Sequence, residues 1–398
     1  MLVLAVAVLT PTDHLYPDQG DVGLYLEKAH SAASGLVPYR DFPFEYPPAA
    51  LIPMVAPYLA GLSSDVQLDA YKVLFAGWEA LLLLALGIVV AAIGARVGDS
   101  NAPRRLVLIV AGAILALTWR YDLFPALLVA VAVWAAIDRR PALVGFAIGL
   151  GVLAKLYPIA LLPALALPWL RPFDLGRLVR LGATFGLTVL VGLAPFVLLA
   201  GDNAFAFMTY QVGRGLQIES IGGGIAVLAG LVGGSPPRLD FGYSAVQVDG
   251  PLAEAILATL PVLTIVGFGL LAFFAWRRAG DEDLADAEAG TADEGLRPST
   301  LVAITFASLL VLLVTSKVYS IQYVVWLVPF LALLRGRMFW LGVAVVAPTM
   351  FIHPMLYADL VKQEWWAILV LNLRNVLVVS LTAWLLWSLR PSRPIALG

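Results

Sequence analysis

The chain has 398 residues, 61% of them hydrophobic and 13% charged, with a formal net charge of −2, whereas a soluble domain is closer to half apolar and a quarter charged. It contains no cysteine, which excludes disulfides, thiolate catalysis and cysteine metal sites. Its three histidines, His14, His30 and His353, are too far apart to form a zinc-binding helix motif, and no basic run points to nucleic acid.

Apolar runs recur from end to end, and a membrane span needs roughly 20 such residues. They imply an all-α polytopic membrane protein of about twelve transmembrane helices, because a membrane barrel would show ~10-residue alternating strands instead. The first run, Met1–Leu9, lacks a positive flank and is too short for a span or a good signal peptide, so the first transmembrane helix is expected to be truncated. Residues 22–34 fit a short amphipathic helix lying on the membrane surface. Val22, Tyr25, Leu26 and Ala29 would share one face, Asp21 would be the N-cap and Gly35 the stop. The proline-rich stretch 47–61 reads as re-entrant or interfacial. Long spans are expected over Tyr71–Ala95, Leu181–Ala200 and Trp365–Leu389.

Four runs, 106–118, 124–137, 142–154 and 321–334, have only 13 or 14 residues. At 1.5 Å per residue they reach ~20 Å across a core of ~30 Å. The polar groups that join them, Arg120, Asp122, Lys155 and Lys317, are therefore expected below the membrane surface, lining a cavity. Charges at that depth cost roughly 2.5–3.5 kcal/mol each and are usually functional; snorkelling or a buried Arg–Asp pair is the alternative reading.

Arginine clusters near 96–105, 139–140, 171–180, 277–297, 335–337 and 390–393 punctuate the runs. Placing them in the cytoplasm satisfies the positive-inside rule. The outer segments are then 10–46, 119–123, 155–158, 201–250, 316–320 and 353–364, in a single domain over 1–398. The acidic run Asp281–Glu294, within 279–298, reads as a disordered cytoplasmic loop. The stretch Ile221-Gly-Gly-Gly224 has no phosphate-loop context and is expected to break or hinge the backbone.

The first outer loop continues as Gly35-Leu-Val-Pro-Tyr-Arg-Asp-Phe-Pro-Phe-Glu-Tyr-Pro-Pro48. An Asp opening a Tyr-containing helix, followed by this segment, resembles the first periplasmic loop of glycosyltransferase family 87. That family belongs to the GT-C superfamily of polyprenyl-phosphate-sugar-dependent membrane glycosyltransferases. Further matches follow in family order: Trp119-Arg-Tyr-Asp-Leu-Phe-Pro125, Leu153-Ala-Lys-Leu-Tyr-Pro158, Arg214-Gly-Leu-Gln-Ile-Glu-Ser220, and the segment from Ser316 to Pro329. Each motif is weak alone; together, over residues 10 to about 335, their order is moderately specific. One departure stands out. Where mannose-using members carry Trp-Asp-His-His-Trp, this chain reads Ser320-Ile-Gln-Tyr-Val, so Gln322 and Tyr323 replace the two histidines. Neither can carry a positive charge, which leaves mannose, the sugar the resemblance implies first, in question.

The resemblance implies a GT-C-type helical bundle in the cell membrane. It would transfer a sugar, with inversion, from a polyprenyl-phosphate donor to a lipid-linked or glycan acceptor hydroxyl on the outer face. Such a reaction needs a base worth roughly 10²–10⁴ in rate, cations for the leaving phosphate and a groove for lipid. Asp21 matches the family's catalytic aspartate, with Asp41 and Glu45 as rivals. Arg120, Lys155, Arg214 and Lys317 are the phosphate candidates, while Glu219 and Gln322 are candidates for binding substrate. Tyr25, Tyr39, Tyr46, Tyr157 and Tyr319 suit sugar stacking, and equally an interfacial belt. Asp18, Asp21 and Asp41 are oxygen ligands that Mg²⁺ or Mn²⁺ would accept, although nothing in the pattern requires a metal. A transporter or flippase of lipid-linked sugars is the rival class, but the acidic segment 10–46 has no counterpart in the second half, as a two-repeat transporter would require.

Overall fold

The computed structural model of the chain describes residues 20–61, 66–288 and 296–390; the Met1–Leu9 run, Asp18 and the end of the acidic run lie outside them. Helix α1 (Gly20–Ala33) realises the expected short amphipathic helix. Val22, Tyr25 and Ala29 are buried in one aromatic cluster with Met54 of α2 (Leu51–Ala60) and Phe75 of α3 (Leu68–Arg96). Asp21 sits within the first turn rather than at the cap, where its charge still meets the positive end of the helix dipole. Gly35 follows the C-terminus at φ +86°, a conformation in which a side chain would be strained.

Short helices follow: α4 (Ala102–Gly112), α5 (Leu123–Ile137), α6 (Pro141–Ala154) and α7 (Leu162–Leu170). Against α6 lies α8 (Leu175–Ala200), and glycines set that contact. A Cβ on Gly145 would collide with the Leu181 carbonyl and the Thr184 hydroxyl, and one on Gly149 would come within 2.9 Å of Thr188 Cβ. Lipid gives little hydrophobic drive to helix association, so small residues four apart allow the close approach that dispersion needs.

The segment 201–250 is not a plain loop. It contains α9 (Ala206–Gly213), β1 (Leu216–Gln217), α10 (Ile221–Gly233), β2 (Arg238–Gly242) and β3 (Ala245–Asp249). The strands form an antiparallel sheet in the order β1-β3-β2, with Leu216 and Leu239 both opposite Val248. The triple glycine, expected to break the backbone, instead opens α10. Its reason is packing: a Cβ on Gly223 would strike the Gln217 carbonyl, and one on Gly224 the Asn375 side chain.

Helix α11 (Pro251–Glu288) corrects the reading of the acidic run, since 281–288 are helical. Glu282 is buried and accepts from Thr300 Oγ1 at 2.5 Å and Arg297 N at 3.0 Å, while Asp283 pairs with Arg171 at 2.6 Å. Among the longer helices that follow are α12 (Pro298–Val314), α13 (Val324–Leu331), α14 (Gly336–Met350) and α15 (Trp365–Ser388).

Among the described residues, five helical stretches are long and apolar enough to cross a bilayer: Leu68–Arg96, Leu175–Gly213, Pro251–Leu284, Gly336–Val361 and Trp365–Ser388; seven more are apolar but shorter. The chain is a multi-pass membrane protein. Length and position are related. Short α12 and α13 are buried almost throughout, whereas long α8 and α11 turn leucines and isoleucines outward, with Leu198 84% and Ile265 73% exposed. Those faces need lipid as their solvent, and the short central helices leave room for a cavity at their ends.

Candidate active site

A cavity of about 670 Å³ lies where α1, the Arg120–Tyr121 turn, the Lys155–Tyr157 turn, the α9–β1 segment, the β2–β3 hairpin and the stretch from Ser316 to Trp326 meet. All four predicted phosphate cations border it, as do Asp21, Glu45, Tyr46, Tyr157, Glu219 and Gln322.

On one wall, Arg120 forms an ion pair with Asp21, whose Oδ2 also accepts from the Tyr25 hydroxyl at 3.3 Å. The backbone that presents Arg120 is fixed from below by Glu79, a buried carboxylate of α3. Its oxygens accept from Trp119 N at 3.5 Å and Arg120 N at 3.3 Å, where Trp119 takes a φ of +69°. Lys155 follows the end of α6 and pairs with Asp122 at 2.6 Å. The same Asp122 oxygen accepts from Trp326 Nε1 at 2.6 Å. Trp326 is stacked between Tyr157 and Tyr323, each ring at 3.9 Å. The Lys155 ammonium lies 4.9 Å from the Tyr121 ring and 5.4 Å from that of Trp326, within the range of cation–π attraction.

The opposite wall is built differently. Lys317 donates to the carbonyls of Val212 at 2.9 Å and Arg214 at 2.6 Å. Burial, and then the Arg214 charge, push its ammonium below the usual lysine range. Glu219 is buried and accepts from Gln217 Nε2 at 2.8 Å; burial pushes its carboxyl up to about 7, with Arg374 opposing. Over the mouth lies the hairpin tip, with Phe241 and Tyr243 on the rim and Tyr243 edge-on to Tyr210 at 5.2 Å.

Five expectations need correction. Tyr39 is buried in the aromatic cluster outside the cavity lining and donates its hydroxyl to the Tyr46 carbonyl at 2.6 Å. Asp122 does not line the cavity but is wholly buried behind Lys155. Tyr25 is buried beneath Asp21, edge-on to Tyr121 at 5.6 Å, because it belongs to the apolar face of α1. Tyr319 is buried with the Arg374 guanidinium 4.2 Å from its ring. Asp41 is an exposed turn residue. It is paired with Arg40 at 2.9 Å and accepts from Val37 N at 2.7 Å, and these two bonds lower its carboxyl to about 2. Glu45, the other rival base, does border the cavity, and burial raises its carboxyl. Among the described residues, no group of three histidine or acid side chains is placed to hold a metal ion.

A second, apolar groove of about 590 Å³ runs beside the first, bordered by Ile52, Leu150, Leu153, Leu187, Val191 and Phe196. The two meet along the chain: Tyr46 and Pro47 border the cavity while Pro48 and Ala49 border the groove. Sequence reasoning missed Glu79, the Tyr157–Trp326–Tyr323 stack and the hairpin aromatics. All three depend on segments that meet only in the fold.

No family model and no curated protein matches the chain. Among solved structures, ArnT from Cupriavidus metallidurans in the apo state is similar at 16% identity, over 98% of this chain and 76% of that one, with a TM-score of 0.47. A likeness this distant leaves the reading of the site to its own residues.

Proposed function

We propose that the protein is a membrane glycosyltransferase of the GT-C type, moving a sugar from a polyprenyl-phosphate donor to a lipid-linked or glycan hydroxyl on the outer face of the membrane. One observation carries this reading. A carboxylate and four cations, drawn from five separate segments of the chain, border a single cavity that adjoins an apolar groove. An amphiphile with a phosphate between a sugar and a hydrocarbon tail matches that layout: the tail in the groove, the phosphate among Arg120, Lys155, Arg214 and Lys317, and the sugar in the cavity.

The chemistry follows from the groups available. The acceptor oxygen attacks the anomeric carbon as its proton passes to the Asp21 carboxylate. The bond from that carbon to the phosphate oxygen breaks, and the polyprenyl phosphate leaves with the electron pair, so the configuration inverts. Asp21 is paired with Arg120 before substrate enters. A phosphate reaching Arg120 competes for the same guanidinium and frees the carboxylate to accept a proton, which couples donor binding to activation of the base. Mannose is the first donor sugar to test, given the family resemblance. The test is incubation of the purified full chain with decaprenyl-phosphate mannose, glucose, galactose and arabinose. Consumption of one and release of decaprenyl phosphate are expected; inertness toward all, with no binding of any, defeats the reading.

A further inference from the structure

Glu219 differs from every other acid at the cavity. It is 3% exposed, and while its Oε2 accepts from Gln217, its Oε1 has no hydrogen-bond partner among the described residues. The Ile321 backbone amide also acts on the carboxylate and favours its charged form, but Oε1 has no partner of full hydrogen-bond geometry. Buried polar atoms are nearly always paired, and an orphaned one needs a reason.

The turn that carries Glu219 is held on all sides. Gln217 donates its amide to the Lys317 carbonyl at 3.0 Å, and its side-chain oxygen accepts from Tyr319 N at 3.0 Å. Arg374, wholly buried in α15, donates to the Glu219 carbonyl and hydrogen-bonds Asn375 at 3.0 Å. Ser220 caps α10 by accepting from Gly223 N at 2.9 Å. The residue is fixed on every side, and one buried oxygen beside the cavity is left without a partner.

An unpartnered carboxylate oxygen selects a donor, either a hydroxyl or an ammonium, and repels a phosphate. Arg120 and Arg214 lie close enough to act on the Glu219 charge, so the phosphate subsite is its neighbour. The part of a donor attached directly to its phosphate is the sugar. We propose that Glu219 recognises the donor sugar, with Oε1 accepting a hydrogen bond from one sugar hydroxyl and with Gln217 and Arg374 as positioning residues. This rests on the polyprenyl-phosphate reading above. The raised carboxyl agrees with it: an acid held near neutrality ionises readily when a hydroxyl arrives to stabilise the charge.

The experiment measures binding to the full chain in lipid nanodiscs. The probes are decaprenyl methyl phosphate, a diester without a sugar, the decaprenyl-phosphate hexoses, and monodeoxy analogues of the best hexose. The wild type is expected to bind that hexose more tightly than the methyl diester. Glu219→Ala should remove roughly 10–100-fold of that increment, the range of a hydrogen bond to a charge, and leave the methyl diester unaffected. Glu219→Gln, which keeps size and fold, should lose part of it. One deoxy analogue should show the same loss on the wild type and none on Glu219→Ala. Equal losses for the methyl diester and the hexose, no loss, or a wild type that gains nothing from any sugar would each overturn the proposal. A wild type that binds none of the probes instead removes the donor reading itself, and this proposal with it.

Discussion

The two walls of the cavity hold their charges in opposite ways. Beside α1, each cation has a carboxylate: Arg120 has Asp21 and Lys155 has Asp122. Across the cavity, Lys317 rests on the carbonyls of Val212 and Arg214, and Arg374, buried outside the cavity lining, on that of Glu219. Carbonyl dipoles hold a cation in place without cancelling its charge. The first wall is therefore balanced before substrate arrives, and an anion must displace a partner to bind there. The second keeps its charge free, and the like charges of Lys317 and Arg214 gain from an anion between them. Where paired charges dominate, a lost cation should appear as lost stability; where carbonyls hold it, as lost affinity.

The largest effect should follow Asp21→Asn, which keeps the helix start and removes the proton acceptor. Transfer should fall by roughly 10²–10⁴ while donor binding tightens, because the carboxylate that competes with the phosphate for Arg120 is gone; single-turnover assays beside equilibrium binding separate the two, and near-normal turnover would move the base to Glu45. Next, Lys155→Met strands Asp122 in the interior and should destabilise the fold by about 3–5 kcal/mol, seen as a lower Tm. The double change with Asp122→Asn should restore most of that loss, and an unaltered Tm in the single variant would dissolve the contrast between the walls. Lys317→Met should do the reverse: Tm nearly constant, donor Kd raised by about 10–100-fold.

A smaller effect concerns pH. Glu219 titrates near 7 in the folded protein, above the ~4.3 of an unfolded glutamate. The folded state therefore binds the extra proton between those values, so this residue's contribution to stability declines as pH rises from about 4 to 7. Sugar-dependent binding should run the opposite way, strengthening as pH rises through 7 and the carboxylate ionises. Thermal melts and binding across pH 5–8 should show both trends in the wild type and neither in Glu219→Gln. Smallest of all is Asp41→Asn. Its side chain serves an exposed turn away from the cavity, so transfer should stay within about twofold, the scale of ordinary surface substitutions; a large loss would return Asp41 to the list of bases.

Much of this was legible in the sequence because hydropathy is local. The spans around Tyr71–Ala95 and Trp365–Leu389, and the short runs before Arg120 and after Lys155, each declare themselves within twenty residues. The gathering of Arg120, Lys155, Arg214 and Lys317 followed from the shortness of those runs and from family resemblance. What stayed hidden depends on distant partners. Arg374 gave no signal of its role, since nothing near it in sequence names Glu219 or Tyr319 as its contacts. Gly223 and Gly224 looked like a hinge, because the Gln217 carbonyl and Asn375 that exclude a Cβ there come from other segments. Tyr25 and Asp41 sit among cavity-lining residues in sequence and differ from them only in the direction their side chains take.

The stack around Trp326 has an optical consequence. This indole is one of 11 in the chain, yet it is clamped between two phenol rings at 3.9 Å and hydrogen-bonded through Nε1 to Asp122. Rings fixed that closely couple their electronic transitions and give an asymmetric near-ultraviolet dichroic band, unlike outward-facing Trp340 and Trp365. The ammonium of Lys155 stands 5.4 Å from the same indole. An anion drawn to Lys155 changes the electric field across the ring, so the site carries a built-in chromophore that registers occupancy without any added label.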